Sequence, residues 1–472
     1  MRVSQGLVAI AVAAALLPFS YAKAEPDNTN ESNDPAELKQ EIQDLAQRLK
    51  VLERKLEVQQ EAAQAAAAET PVVKAGPKGF SLQSKDGANV IKLRGLFQID
   101  DRYFLDNTTP ASASTAILRR VRPILEGTVN DIYDFRLMPD FGGGKAIIVD
   151  AYVAARFKPS FVVTAGKFKP PVGLERLQSG ADIRFVERGL PTDLVPNRDI
   201  GVQISGDVFS GHVNYALGYF NGVADGTSSD NIGDVDSDGD GDAAARLFFQ
   251  PGATADNFAW RGLGFGVAAT YAHTDGTATN TGLAALKTPG QVNFFNYRTG
   301  TTATFADGTR TRLVPQFFYY YGRYGILGEY VESSQDVTRV NGALTRSGRL
   351  KNDAWQVAFH WFVTGEEETF KGYTPSSSFS LAERTWGALE LVARYHQLTI
   401  DREAFVGGAN SFADPDAQAS KASAWGLGLN WYLNQNVKFA LDYDRTRFVG
   451  GAAGGGDRND EEVLLSRVQL SF

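Results

Sequence analysis

The spacing of apolar positions changes partway along this chain. Within residues 34–68, Leu38, Ile42, Leu45, Leu49, Leu52 and Leu56 follow one another at intervals of 4, 3, 4, 3 and 4. This is a heptad stripe along one helix face, with Ile42, Leu49 and Leu56 at a and Leu38, Leu45 and Leu52 at d. Asp34 stands at the N-cap, Pro35 suits the first helical position, and Glu37 follows three residues after the cap. A single apolar stripe on a charged helix needs a cover. A short coiled coil with other copies supplies one, and so would docking on the chain's own domain. The alanine-rich tail of the helix and the segment 69–89, with Pro71, Gly76 and Pro77, read as a linker.

From Val90 onward the period becomes two. Trp425, Leu427, Leu429, Trp431 and Leu433 alternate with Ala424, Gly426, Gly428, Asn430 and Tyr432, and Trp355, Val357, Phe359, Trp361 and Val363 repeat the pattern. One face is apolar with aromatics near both ends; the other is often glycine or charge. A soluble sandwich would put its apolar face in a core. Strands facing lipid, with aromatic girdles at two interfaces, look like these. Counting such segments gives sixteen strands, among them 312–321, 324–333 and 353–363. Their connections alternate in length: 221–242, 273–311 and 449–461 are long, whereas Asn130-Asp131 and Asn434-Gln435 are tight turns. Long loops on one side and short turns on the other are expected of an outer-membrane barrel, and Phe472 suits its last strand. Two connections are unusual: 169–198 carries both proline and charge, and 364–385 is long where a short turn belongs. Segments of that length must go somewhere. They are expected to fold into the lumen and narrow it.

Arg2, the apolar run Gly6–Leu17 and Ala22-Lys23-Ala24 fit a secretory signal peptide. The run is too short to span a bilayer comfortably as an anchor, and no later segment offers about 20 consecutive apolar residues. Membrane residence therefore requires a barrel. The expected organisation is a signal peptide (1–24), a polar N-terminus (25–33), a coiled-coil helix (34–68), a linker (69–89) and a sixteen-stranded transmembrane β-barrel (90–472). The 48 glycines and 11% aromatics agree with antiparallel β structure, and the absence of cysteine excludes disulfides and thiolate chemistry. The four histidines, His212, His273, His360 and His396, sit in no catalytic spacing. No enzyme, no cofactor and no nucleic-acid partner is expected.

Several segments carry a more specific signal. FSLQSKDGANVIKLRGLFQIDDR (80–102), LRRVRPILEGTV (118–129), GKFKPPVGLERLQSG (166–180), FVERGLP (185–191), NRDIGVQISG (197–206), FVTGEEETFKGYTP (362–375) and WGALELVARYHQL (386–398) occur in that order. Together they resemble the phosphate-selective porin O and P family, most closely in the third loop. The resemblance implies a sixteen-stranded homotrimeric barrel in the outer membrane of a Gram-negative bacterium. Such a barrel sits among lipid and lipopolysaccharide and passes phosphate or polyphosphate; the coiled-coil segment read from the heptads is expected in the periplasm. A general or sugar-type solute porin, with Phe318 and Tyr320 as a stacking track, is the rival reading.

A pore selects by charge at its narrowest point. Parity along the strands turns Lys92, Arg94, Arg102, Arg120, Arg122, Arg136 and Arg156 inward, with Asp100, Glu126, Asp134 and Asp150 as acidic neighbours; Arg119 falls on the opposite parity. Arg120 matches the second arginine of the family's pair. The third loop adds Lys169, Arg176, Arg184, Arg188 and Arg198 against Glu175, Asp182, Glu187, Asp193 and Asp199, so pairing within the loop would cancel them. The net charge of −8 is misleading, because seven aspartates crowd into 221–242 without one basic residue. Within that loop Asp234, Asp236 and Asp238 resemble a calcium loop, but Ala245 stands where its closing glutamate belongs. A solvated acidic loop is the plainer reading, with Ca²⁺ or Mg²⁺ as the metal to test.

Overall fold

The computed structural model describes residues 35–69, 71–106, 113–229, 239–254 and 258–472. The expected signal peptide, the polar N-terminus, the Asp34 cap and the possible metal ligands Asp234, Asp236 and Asp238 lie outside the described residues. The chain divides into two compact units, 1–69 and 70–472.

In the first unit one helix, α1 (Pro35–Glu69), forms where the heptads place it. Its six stripe residues are 49–65% exposed. None of the described helices is long and apolar enough to cross a membrane.

The second unit opens with a hairpin, β1 (Val72–Gly76) and β2 (Gly79–Gln83). The wall follows as β3 (Val90–Phe104), β4 (Thr115–Val129), β5 (Tyr133–Asp140), β6 (Ile147–Lys158), β7 (Phe161–Phe168), β8 (Asp199–Val208), β9 (Val213–Phe220), β10 (Asp242–Phe249) and β11 (Leu263–Asp275). A small pair, β12 (Leu286–Lys287) and β13 (Asn293–Phe295), sits in the next loop. The wall resumes with β14 (Thr304–Tyr321), β15 (Tyr324–Asn341), β16 (Leu344–Phe362), β17 (Ala388–Thr399), β18 (Ala419–Tyr432), β19 (Val437–Gly450) and β20 (Glu461–Ser471). Each wall strand pairs antiparallel with the next, and β20 returns to β3, with Val468 opposite Ile99 and Leu464 opposite Tyr103. The sheet is a closed sixteen-stranded barrel. Closure leaves no unpaired edge, which lipid would penalise.

The outer face is apolar: Val202, Leu217, Val267, Leu313, Phe359, Leu427 and Leu441 are all exposed. Tyr103, Tyr219 and Tyr271 lie toward the long-loop end, and Tyr321, Tyr324, Trp260 and Trp386 at the short-turn end. These are the two girdles the alternation predicted. The tight turn at Asn130 and Asp131 has both residues at positive φ (52° and 59°), the conformation that keeps a two-residue hairpin in step with strand twist.

Two expectations about the wall need correcting. Residues 69–89 are not all linker, because β3 runs past the end of β20 and β2 pairs the surplus, with Phe80 opposite Leu93. The residues read as linker breakers, Gly76 and Pro77, border that hairpin's turn. Strands β14 to β16 are also far longer than predicted, and the stretch between 333 and 353 forms a tall hairpin turning at Gly342 (φ 63°). Above the lipid the outward face meets water and loses its apolar row, although inward Val337 and Leu350 still pack in an apolar cluster, so the alternation that betrays a strand is lost there.

The seam between first and last strands is fastened by Phe472. Its backbone exchanges hydrogen bonds with Gly95 (2.9 and 3.0 Å), and its ring packs on Phe97 (6.3 Å) and Phe80 (6.4 Å). A Cβ at position 95 would come within 2.6 Å of that ring, so glycine is required there. Two aromatic pairs at about 0.5–1.5 kcal/mol each set the scale of the contribution. Phe472→Ala is expected to lower the temperature at which the compact band unfolds in unboiled SDS gels by several degrees.

Candidate functional site

The segment 169–198 leaves the wall after β7 and crosses the lumen. Gly173 (φ 81°) turns it inward into a one-turn helix, α2 (Leu174–Leu177). Val172, Leu174, Ile183, Leu194 and Val195 have no exposed surface at all. On one side the segment meets β3, β4 and β20: Gln98 donates to the Gly180 carbonyl (2.9 Å), Gln469 to Ala181 (3.1 Å), and Arg119 to Glu187 (2.5 and 3.0 Å). On the other it meets β15 to β19. Leu174 N–H donates to Glu329 (2.6 Å), Leu190 N–H to His396 Nδ1 (2.9 Å) and Val186 N–H to Asp442 (2.5 Å). Asn430 and Lys438 donate to the carbonyls of Arg184 (2.8 Å) and Ile183 (3.0 Å). A loop held from both walls is a constriction.

The second unusual connection folds in to meet it. Glu368 pairs with Arg184 (2.5 Å), which also reaches Glu390 on β17 (3.0 Å), and Gln178 donates to the Phe370 carbonyl (2.9 Å). Tyr373 packs on the inward rings of Phe362 (4.4 Å) and Tyr432 (5.8 Å). Only the first half enters; Phe379 packs instead on the outward Trp431 (5.4 Å). His360, Glu368 and Glu390 bring possible metal-ligating atoms within 4.8 Å of one another, but the Arg184 guanidinium already occupies both carboxyl groups. Burial, aided by the Glu390 carboxylate, raises the Glu368 carboxyl above the ordinary range despite the opposing Arg184. A carboxyl raised in the docked state holds its proton more firmly there than when freed. Docking is therefore strongest in acid and weakens as pH climbs from about 4.3 through the raised value. Current noise is expected to grow between about pH 5 and about pH 9 in planar bilayers, and Glu368→Gln should flatten that dependence.

The inward arginines fall into two groups. Arg94 and Arg136 share Glu126 (3.2 and 2.6 Å), Arg136 also approaches Asp150 (3.8 Å), and Arg156 meets Asp134 (3.4 Å). These pairs knit the wall. Nearer the constriction, Arg122 pairs with Asp140 (2.7 Å) and Arg102 with Glu187 (3.4 Å). Burial opposes ionisation of Glu187, but Arg119 outweighs it and holds that carboxyl well below its usual range. Arg119 corrects the parity argument. Gln98 faces Arg120 while Ile99 faces Leu118, so Arg119 is the extra residue of a β-bulge and turns inward to the loop. Arg120 differs from all of these. Its guanidinium donates to Gln98 (2.5 Å), its Nε has no hydrogen-bond partner, and among the described residues it forms no ion pair. Arg119, Arg122 and Arg467 are the positive charges around it, and Glu187 is the acid nearby.

The loop's own bases do not cancel against its own acids as pairing within the loop would require. Lys169 donates to the Leu177 and Gln178 carbonyls, Arg176 to Thr192, and Arg188 to Glu175 and Gln178. Among the described residues only Arg184 and Arg198 of these five pair with carboxylates, and all three partners lie outside the loop: Glu368 and Glu390 for the first, Asp150 (3.1 Å) for the second. Lys169, Arg176 and Arg188 are thus spent on shaping the loop.

Residues the parity reading left unnamed complete the site. Arg467 clamps Asp100 (2.6 Å) beside Arg120, while Glu329, Glu390, Asp442 and Asp444 line the far wall. That far wall also carries buried Arg394, which approaches Asp444 (3.6 Å) and Glu175 (3.7 Å), and Lys438, so both walls mix charges. Phe318 and Tyr320 do point inward, but they stack under Phe248 and Phe370 (5.2 Å each from Phe318) and present no open track. The acidic loop is not wholly solvated: Asp225 and Asp242 pair with buried Arg312 (2.7 and 2.8 Å).

The profile of the family described as Phosphate-selective porin O and P matches residues 91–472. Porin O of Pseudomonas aeruginosa is 23% identical over 418 residues, covering 84% of this chain and 91% of that protein. Among solved structures, the outer membrane channel DcaP of Acinetobacter baumannii superposes with a TM-score of 0.49 at 11% identity, over 83% of this chain and 99% of that one. The anion-selective porin from Comamonas acidovorans gives 0.47 at 13%, over 81% and 100%. A closed lipid-facing barrel, a charged constriction and a family match along the whole barrel agree: the chain belongs to the phosphate-selective porin O and P family and is a passive outer-membrane porin for small solutes.

Proposed function

We propose that this porin prefers anions and passes phosphate or polyphosphate along the β3–β4 side of its constriction, as a homotrimer. The observation that carries this reading is Arg120, a buried guanidinium beside the loop with an unpartnered Nε and no ion pair among the described residues. A buried unsatisfied donor needs a partner. A phosphate oxyanion suits it, because a guanidinium fork matches such oxygens in charge and geometry. Arg119, Arg122 and Arg467 add to the local positive field. The family's description as phosphate-selective points to the same solute class. The rival, a general solute channel, draws support from the pairing of most other lumen arginines with acids. The test is phosphate titrated into single channels carrying chloride. Block that weakens in Arg120→Gln supports the phosphate reading; chloride current indifferent to phosphate removes it and leaves the general channel.

A further inference from the structure

We infer that the exposed stripe of α1 is covered by the same stripe of other copies of this chain, as a parallel, in-register coiled coil. Leu38, Ile42, Leu45, Leu49, Leu52 and Leu56 are each about half exposed or more, and among the described residues nothing covers that row of branched apolar side chains. A heptad row of this kind is self-complementary, since its knobs fit the holes of an identical helix. The charges beside the stripe favour the same occupant. Counting from Leu38 at d, Arg48 falls at g and Glu53 at e of the next heptad, which face each other between parallel copies. The other such positions, Glu41 with Ala46 and Lys55 with Gln60, set no like charges together.

Direction follows from connectivity. Only residues 70 and 71 separate the end of α1 from β1, whose hairpin partner β2 is bonded into the barrel wall at β3. Every copy in one membrane has its barrel the same way up, so every helix is tethered by its C-terminus on the same side. Helices tethered alike meet in parallel. The coil would then bind the porin to its own kind through a contact separate from the lipid-facing wall, and this inference stands apart from the anion reading.

The chain has no cysteine, so one can be introduced at a time into the full-length protein in its membrane. Leu38→Cys and Leu52→Cys are core positions at opposite ends of the stripe; Gln43→Cys and Lys50→Cys lie on the outer face. Mild oxidation is expected to give disulfide-linked dimers at both core positions and little at either outer one. Adding Leu45→Asp should abolish the Leu38→Cys cross-link while the barrel keeps its compact band in unboiled gels. No cross-link at the core positions, cross-linking equal at core and outer positions, or a cross-link that survives Leu45→Asp would overturn the inference.

Discussion

Arg184→Ala is expected to raise single-channel conductance several-fold and to make the open current noisy. Arg184 lies on the loop crossing the lumen, is almost wholly buried, and joins Glu368 of the second insert to Glu390 of the wall. Its removal leaves the Glu368 and Glu390 carboxyl groups facing each other without a counter-charge. Breaking a buried ion pair in that way costs about 3–5 kcal/mol. The barrel's own ladders do not depend on this residue, so the strain falls on the docked segments. The insert and the loop should separate and widen the path. Arg184→Lys keeps the charge but not the planar fork that reaches both acids, so an intermediate conductance is expected. Unchanged conductance in Arg184→Ala would show that the two inserts are held by their other contacts.

Arg120→Glu should reverse or abolish ion selectivity without emptying the membrane of folded protein. The substitution changes the local charge by two units where the loop leaves least room. Two unit charges about 4 Å apart interact by about 4 kcal/mol at an effective dielectric near 20. Each 1.4 kcal/mol is roughly a tenfold change in occupancy, so the effect on a permeating anion is large even after screening. The new carboxylate would find Arg119 and Arg467 close by, which argues for a folded variant. Arg94→Glu is the contrasting control. Arg94 already shares Glu126 with Arg136 away from the loop, and its reversal should alter selectivity much less.

Much of the barrel could be read from residue order, because lipid imposes a strict period of two on any strand it touches. All sixteen wall strands formed, and the short turns fell where Asn130-Asp131 and Asn434-Gln435 put them. The pattern failed where lipid stops acting. The upper halves of β14, β15 and β16, such as Thr304–Arg310 and Arg346–Asn352, have no apolar row on the outward face and read as loop, although Ala306 and Leu350 are buried inside. Arg119 was misplaced because parity assumes an unbroken register, and a bulge shifts it by one. The two inserts betrayed themselves only by length. Their joining through Arg184 and Glu368 links residues 184 positions apart, which no local spacing reveals. Inward arginines were found by parity, but which of them lacks a partner depends on where the opposing acids land. For that reason Arg120 became distinct from Arg94 or Arg136 only in three dimensions.

The central claim is that the constriction prefers anions because Arg120 and its neighbours outweigh the acids on the facing wall. The measurement that tests it most directly is the zero-current potential of the unmodified porin in a planar bilayer separating two KCl concentrations. A potential of the sign set by chloride movement, shrinking or inverting in Arg120→Glu, is the result this account predicts. A potential set by potassium in the unmodified protein would contradict it, and would assign the path to Glu329, Glu390, Asp442 and Asp444 on the opposite wall.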